Sequence, residues 1–254
     1  MTGFEELNLG IDGDSITAGE QWSWHVYKNL KMKSHSNVAV GSSVWYKRTV
    51  ECGGKTITTQ NYGAADFAGI SDGWEPTDDA VEMQKRMNNC AVVHIQRFLA
   101  EYKSGNFPKP DIFAFAMGTN DLEAFIGDPD KALTGKELSD NENIDLFTEA
   151  GAARWCIQTI QENFPECRVF VMTPIQTATP EHNQKIEKTI ECLRKICRGL
   201  SVQVIDAYSG SGICEKFEVI GARGKYLKDG LHPDVEGQTL EGAFATKEIR
   251  NNYF

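Results

Sequence analysis

An α/β fold, a three-layer α/β/α sandwich about a central, mostly parallel five-stranded sheet, is what this sequence predicts. Three observations carry the prediction. Short apolar runs alternate about five times with longer segments of helical apolar spacing. The run Asp111-Ile112-Phe113-Ala114-Phe115-Ala116-Met117 is apolar at almost every position, as a central strand covered on both faces must be. Polar, Gly-containing blocks directly follow the strand candidates, where open parallel sheets place their ligands.

Leu7-Asn8-Leu9-Gly10-Ile11 reads as the first short buried strand. Residues 22–33 read as a helix with Trp24, Tyr27 and Leu30 on one face, and residues 37–40 as the second strand, ended by Gly41. From 46 to 79 the pattern changes. Val50 to Ile57 suits a hairpin around Gly53-Gly54, and residues 61–77, rich in Gly, Ala and Asp, read as loop. Too little of this stretch is apolar to build a core, so it is expected to be an insertion within one domain spanning 1–254. Tyr46, Tyr62, Phe67 and Trp74 could pack it down or line a site mouth. Residues 80–102 read as one helix, stopped by Pro108 and Pro110. After the central strand come a charged loop (128–143), a helix (144–164) and a strand (168–172). A helix (184–198), a strand (202–205) and a final helix (236–250) complete the pattern.

Composition narrows the class of function. The chain has 254 residues and a net charge of −10, which argues against a nucleic-acid backbone or an anionic membrane as main partner. A chain this long buries roughly 70–75% of its unfolded surface and needs no disulfide or metal staple. No stretch is apolar enough for an integral membrane span. Residues 1–8 are polar and acidic, unlike a signal peptide, so a cytoplasmic location is expected, or a secreted or periplasmic one if a leader precedes them. The seven cysteines are odd in number and form no CxxC, so buried free thiols are expected rather than a disulfide framework or a zinc ribbon.

Four blocks carry chemistry. Gly13-Asp14-Ser15 lies between the first strand and first helix, a place that exposes a serine near helix-terminal amides. Asn37-Val38-Ala39-Val40-Gly41-Ser42 ends the second strand, where a backbone N–H can meet a substrate. Gly118-Thr119-Asn120-Asp121 ends the central strand, and a side-chain amide there can donate to an oxyanion. Asp229-Gly230-Leu231-His232 precedes the last helix, with a carboxylate placed to orient an imidazole base. Read singly, each is also an ordinary turn, Asx turn or helix cap.

Together the four blocks, running from residue 13 to residue 233, resemble the SGNH hydrolase superfamily, the GDSL-type esterases and lipases. The resemblance implies a flavodoxin-like sandwich and a Ser-His-Asp esterase needing no cofactor and no metal. It implies Ser15 as nucleophile, Asp229 and His232 as its partners, and an oxyanion hole built from the Ser15 amide, Asn120 and the second block. The family places a glycine five residues after the second block's asparagine; here that position is Ser42, preceded by Gly41, so either amide can serve. An alignment on Asn61-Tyr62-Gly63, with Asp66 at the critical position, is the rival to the one after the second strand. Asp14 and Asp121 are expected to brace their loops.

Other candidates carry less. Asp12 and Asp14 lack nearby metal-ligating partners in sequence, and Gly10 to Gly19 matches neither GxGxxG nor a P-loop. His25 and His94 read as structural helix residues, and His35 as a surface loop residue. Trp22, Trp45, Trp74 and His182 are candidate substrate-lining residues, because aromatic rings can stack on sugars. The substrate expected is a small-molecule or carbohydrate ester with a short acyl group such as O-acetyl, since no broad apolar surface is legible. Lysophospholipid or thioester hydrolysis on the same fold, or a noncatalytic carbohydrate-binding module, are the alternatives.

Overall fold

In a computed structural model, residues 3–19, 21–73, 75–135, 138 and 144–253 are described. The chain runs through β1 (Asn8–Gly13), α1 (Trp22–Leu30) and β2 (Ser34–Asn37), then β3 (Thr49–Cys52), β4 (Lys55–Thr58), α2 (Ala80–Met87) and α3 (Ala91–Lys103). It continues through β5 (Ile112–Ala116), a short α4 (Pro129–Ala132), α5 (Glu149–Asn163), β6 (Arg168–Met172) and α6 (Pro180–Gly199). Last come β7 (Gln203–Ile205), a short α7 (Ala207–Gly210) and α8 (Val235–Tyr253).

The central sheet has the order β2-β1-β5-β6-β7. All four pairings are parallel, so the sheet is wholly rather than mostly parallel. Side chains alternate across it with the period of two that a pleated strand imposes. Leu9, Ile11, Ile112, Ala114, Phe170 and Met172 face one layer with Trp22, Val26, Ala245 and Ile249 of α1 and α8. Phe113, Phe115, Val169 and Val171 face the other, against residues of α3, α5 and α6. Gly10 is required in this frame, because a Cβ there would stand 2.6 Å from the Phe113 ring. The chain leaves β1 on one side for β2 and on the other for β5, and this reversal opens a crevice at the strands' carboxyl ends.

Several elements differ from the sequence reading. The second strand lies three residues earlier than expected. Val38 and Val40 still donate to the Ile11 and Gly13 carbonyls, so the chain stays alongside β1 after β2 ends. The helix expected over 80–102 is two, broken at Asn88-Asn89-Cys90, whose asparagine side chains bond to other loops instead of facing solvent. α5 begins at Glu149, capped by Thr148, five residues later than expected. Lys31, at φ 53°, ends α1 early. The hairpin expected around Gly53-Gly54 forms as β3 and β4, with both glycines at positive φ. It packs on α2 through Cys52, Ile57, Met83 and Met87. Tyr62 and Phe67, in edge-to-face contact, pack against the main core. All seven cysteines are free thiols.

Candidate active site

Ser15 lies in the turn after β1, not at a helix N-terminus, because α1 begins only at Trp22. The turn is tied from within. Asp14 Oδ1 accepts the Ile16 N–H, and the Asp14 carbonyl accepts the Thr17 and Ala18 N–H groups. Gln21 Nε2 donates to the Ser15 and Ala18 carbonyls. What the sequence could not show is that a loop more than 200 residues away closes on this turn. His232 Nε2 stands 2.9 Å from Ser15 Oγ, and His232 Nδ1 stands 2.9 Å from Asp229 Oδ2.

The directions of these bonds follow from the groups involved. The Asp229 carboxylate accepts, so Nδ1 carries the hydrogen and Nε2 is left as an acceptor for the serine hydroxyl. Asp229 Oδ1 accepts the Leu231 and His232 N–H groups, which folds the segment into a tight turn. Gly230 sits at φ 82° in that turn, and a Cβ there would stand 2.6 Å from the Val219 carbonyl, so only glycine fits. Partial burial pulls the Asp229 carboxyl up, but the His232 and Leu231 hydrogen bonds outweigh it and hold it below the usual carboxylate range.

Asn120 and the loop of residues 41–43 border the same crevice. Asn120 Nδ2 donates to the Ser43 carbonyl, and Ser43 Oγ donates to the Gly13 carbonyl. Ser42 sits at φ 58°, the left-handed region that glycine enters freely, and its hydroxyl donates to Asp72. The loop after β2, rather than Asn61-Tyr62-Gly63, is the one tied to Gly13 and Asn120.

Asp14 and Asp121 are buried beneath these loops, Asp121 accepting the Trp45 N–H. Burial pushes Asp14 up to about 6 against hydrogen bonds from Ile16 and Thr119. Burial, with Asp14 nearby, also drives Asp121 well above the carboxylate range. An acid raised in the folded state stabilises it fully below its unfolded value of 3.8, and that contribution is lost as pH rises through its folded value, about 6 for Asp14 and about 7 for Asp121. Asp121→Asn is therefore expected to gain melting temperature relative to wild type between pH 4 and 8, with Oδ1 still available to Trp45. A constant difference across that range would remove Asp121 as a titrating group.

Other expected residues lie elsewhere. Trp22 is fully buried and donates its indole N–H to Thr17, and Trp45 is fully buried, donating to the Met117 carbonyl and packing on Phe115. Neither lines a mouth: each ring is core, and each N–H is satisfied inside it. Trp74 lies outside the described residues. His182 places Nε2 2.7 Å from the Thr119 carbonyl, beside the Asn120 block, and so braces that loop. His35 lies in β2 rather than a loop, 3.1 Å from Ser23 Oγ. Sequence reading passed over Asn89 and weighed Asp12 only as a metal ligand, whereas the structure buries both against His94. An asparagine at a helix break is the one local sign of the first, and nothing local marks the second.

The sequence matches the profile of the GDSL-like lipase/acylhydrolase family over residues 13–240. Among solved structures, the chain is similar to a protein from Lactobacillus plantarum, with a TM-score of 0.60, 14% identity and 100% of both chains covered. It is also similar to the lipase/acylhydrolase from Enterococcus faecalis, with a TM-score of 0.53, 16% identity and 96% of both chains covered. A possible lipase from Chitinophaga pinensis gives 0.55 and 16% identity over 97% of this chain and 98% of that one. At these identities the likeness establishes the fold alone. No curated protein matches the sequence significantly.

Proposed function

The chain belongs to the GDSL-like lipase/acylhydrolase family, and from that membership and the geometry of the site we propose that it is a serine ester hydrolase working through an acyl-enzyme. One observation carries the reading: the continuous line from Ser15 Oγ to His232 Nε2 and from His232 Nδ1 to Asp229, each step 2.9 Å. His232 takes the proton of Ser15 as Oγ bonds to the ester carbonyl carbon. The carbonyl electron pair moves onto oxygen, where Asn120 and backbone amides receive the charge. When that pair returns, the bond to the alcohol breaks and the leaving oxygen takes the proton from His232. Water repeats the sequence on the acyl-enzyme and releases the acid.

Asn120→Ala is expected to lower kcat by roughly 10²–10³-fold, the usual cost of one oxyanion donor. Its Nδ2 bonds one carbonyl in the free enzyme, and the amide has a second hydrogen for substrate. Unchanged turnover on p-nitrophenyl acetate would remove Asn120 from the site.

For the substrate, a specific observation favours a second reading over a sugar acetate. Leu122 and Phe125 follow Asn120, while Phe217, Val219 and Ile220 precede Asp229, and all are exposed. The Val219 carbonyl lies against Gly230 of the His232 turn, so the 217–220 segment adjoins the site, and Leu122 lies two residues beyond Asn120 in the chain. It suits an ester with an apolar acyl or alcohol group, whereas Trp22 and Trp45, two of the tryptophans expected to stack on sugars, are buried in the core. Rates on p-nitrophenyl esters from acetate to laurate decide. Preference rising with chain length supports the apolar ester, and greatest activity on acetate returns the reading to short acyl groups.

A further inference from the structure

A chain of buried polar groups joins the end of β1 to the loop after β2, and the reaction above makes no direct use of it. Asp12 and His94 are both fully buried, with His94 Nδ1 2.8 Å from Asp12 Oδ1. The same oxygen accepts the Gly13 N–H at 2.8 Å. On the other side of the ring, His94 Nε2 lies 3.0 Å from Asn89 Oδ1, and Asn89 Nδ2 donates to the Gly41 carbonyl at 2.6 Å. A carbonyl only accepts, so the Asn89 amide has one permitted orientation, with Nδ2 on Gly41 and Oδ1 on the imidazole. Oδ1 also only accepts, so Nε2 of His94 carries a hydrogen, and Nδ1, facing the Asp12 carboxylate oxygen, donates as well. Buried groups of this kind hold their geometry tightly, because a lost partner leaves a desolvated polar atom.

The Gly41 carbonyl and the Ser42 N–H belong to one peptide unit, and a trans peptide points them in opposite directions. No cis peptide occurs among the described residues. With the carbonyl drawn inward by Asn89, the Ser42 N–H is turned away from the buried network, and no group among the described residues accepts it. Neighbouring bonds hold the same loop against Gly13 and Asn120, the residues that flank the crevice. Ser42 stays at φ 58° within this frame.

We propose that Asn89, held by His94 and Asp12, is a positioning residue that aims the Ser42 N–H at the oxyanion, and that Ser42 rather than Gly41 supplies the second-block amide. The assignment rests on the serine-hydrolase reading. Without the Asn89 amide, the peptide can turn and the donor is lost for part of the time. Asn89→Ala is expected to lower kcat on p-nitrophenyl acetate by roughly 10–100-fold with KM changed less than about threefold. Affinity for a trifluoromethyl ketone that forms a hemiketal with Ser15 should fall by the same factor, because that adduct carries the oxyanion. A purely structural cross-link would lower the melting temperature and leave kcat per fluorophosphonate-labelled site unchanged, and that result overturns the proposal. If the variant does not fold, the wild type decides through long-range ¹H–¹⁵N NMR of the His94 ring. A hydrogen-bearing Nε2 supports the network; a bare Nε2 overturns it, since Asn89 would then be reversed and the Gly41 carbonyl unbonded. Wild-type hydrolysis and its loss in Ser15→Ala, measured alongside, separate failure of this proposal from failure of the esterase reading.

Discussion

Ser15→Ala is expected to lower kcat by roughly 10⁶-fold, with the melting temperature close to that of wild type. The size of the effect comes from the chemistry: an acyl-enzyme cannot form without Oγ, and what remains is the contribution of substrate binding and the oxyanion donors. The small structural cost comes from the site. Among the described residues the Ser15 side chain makes a single hydrogen bond, to His232 Nε2, at a half-buried position. The turn around it is held by Asp14 and by Gln21 on the Ser15 carbonyl, none of which depends on the hydroxyl. Turnover on p-nitrophenyl acetate, set beside circular-dichroism melts, checks both halves. A variant within tenfold of wild type would remove Ser15 as nucleophile.

Asp229→Asn is expected to lower kcat by roughly 10³–10⁴-fold, chiefly through the tautomer of His232. An asparagine amide facing Nδ1 donates to it, which moves the ring hydrogen to Nε2 and leaves the serine proton without an acceptor. The Leu231 and His232 N–H groups bond the other oxygen, Oδ1, which asparagine retains, so the turn itself should persist. Asp229 is 44% exposed at the side chain, so solvent competes for the ring and the loss stays below that of the nucleophile. A loss shared equally between kcat and thermal stability would point to a damaged turn. A loss in kcat alone supports the orienting role.

The apolar periods made the sheet legible. Phe113 and Phe115 against Ile112 and Ala114 read out the two faces of β5, and the motif blocks after the strands marked the edge where Ser15 and His232 meet. Local pattern failed where a side chain was committed to a distant partner. Asn88 and Asn89 look helix-compatible in a window of 80–102, but they bond to the chain at Gln60, Gly69 and Gly41, and the helix breaks there. Trp22 and Trp45 beside motif residues invite a binding role. Their location in the core depends on what packs over them, which no local window contains.

The sequence by itself determined the order of the central strands along the chain, the α/β class and the identities of the residues in the four motif blocks. Those follow from local periodicity and from turn chemistry written in adjacent residues. Only the tertiary structure decided that Ser15 and His232, 217 positions apart, meet at 2.9 Å, and that Asn89 holds the loop beside them. Such contacts are set by the crossing of parallel strands, which brings distant loops to one edge of the sheet. The directions of the hydrogen bonds then follow from which groups can donate once they are there.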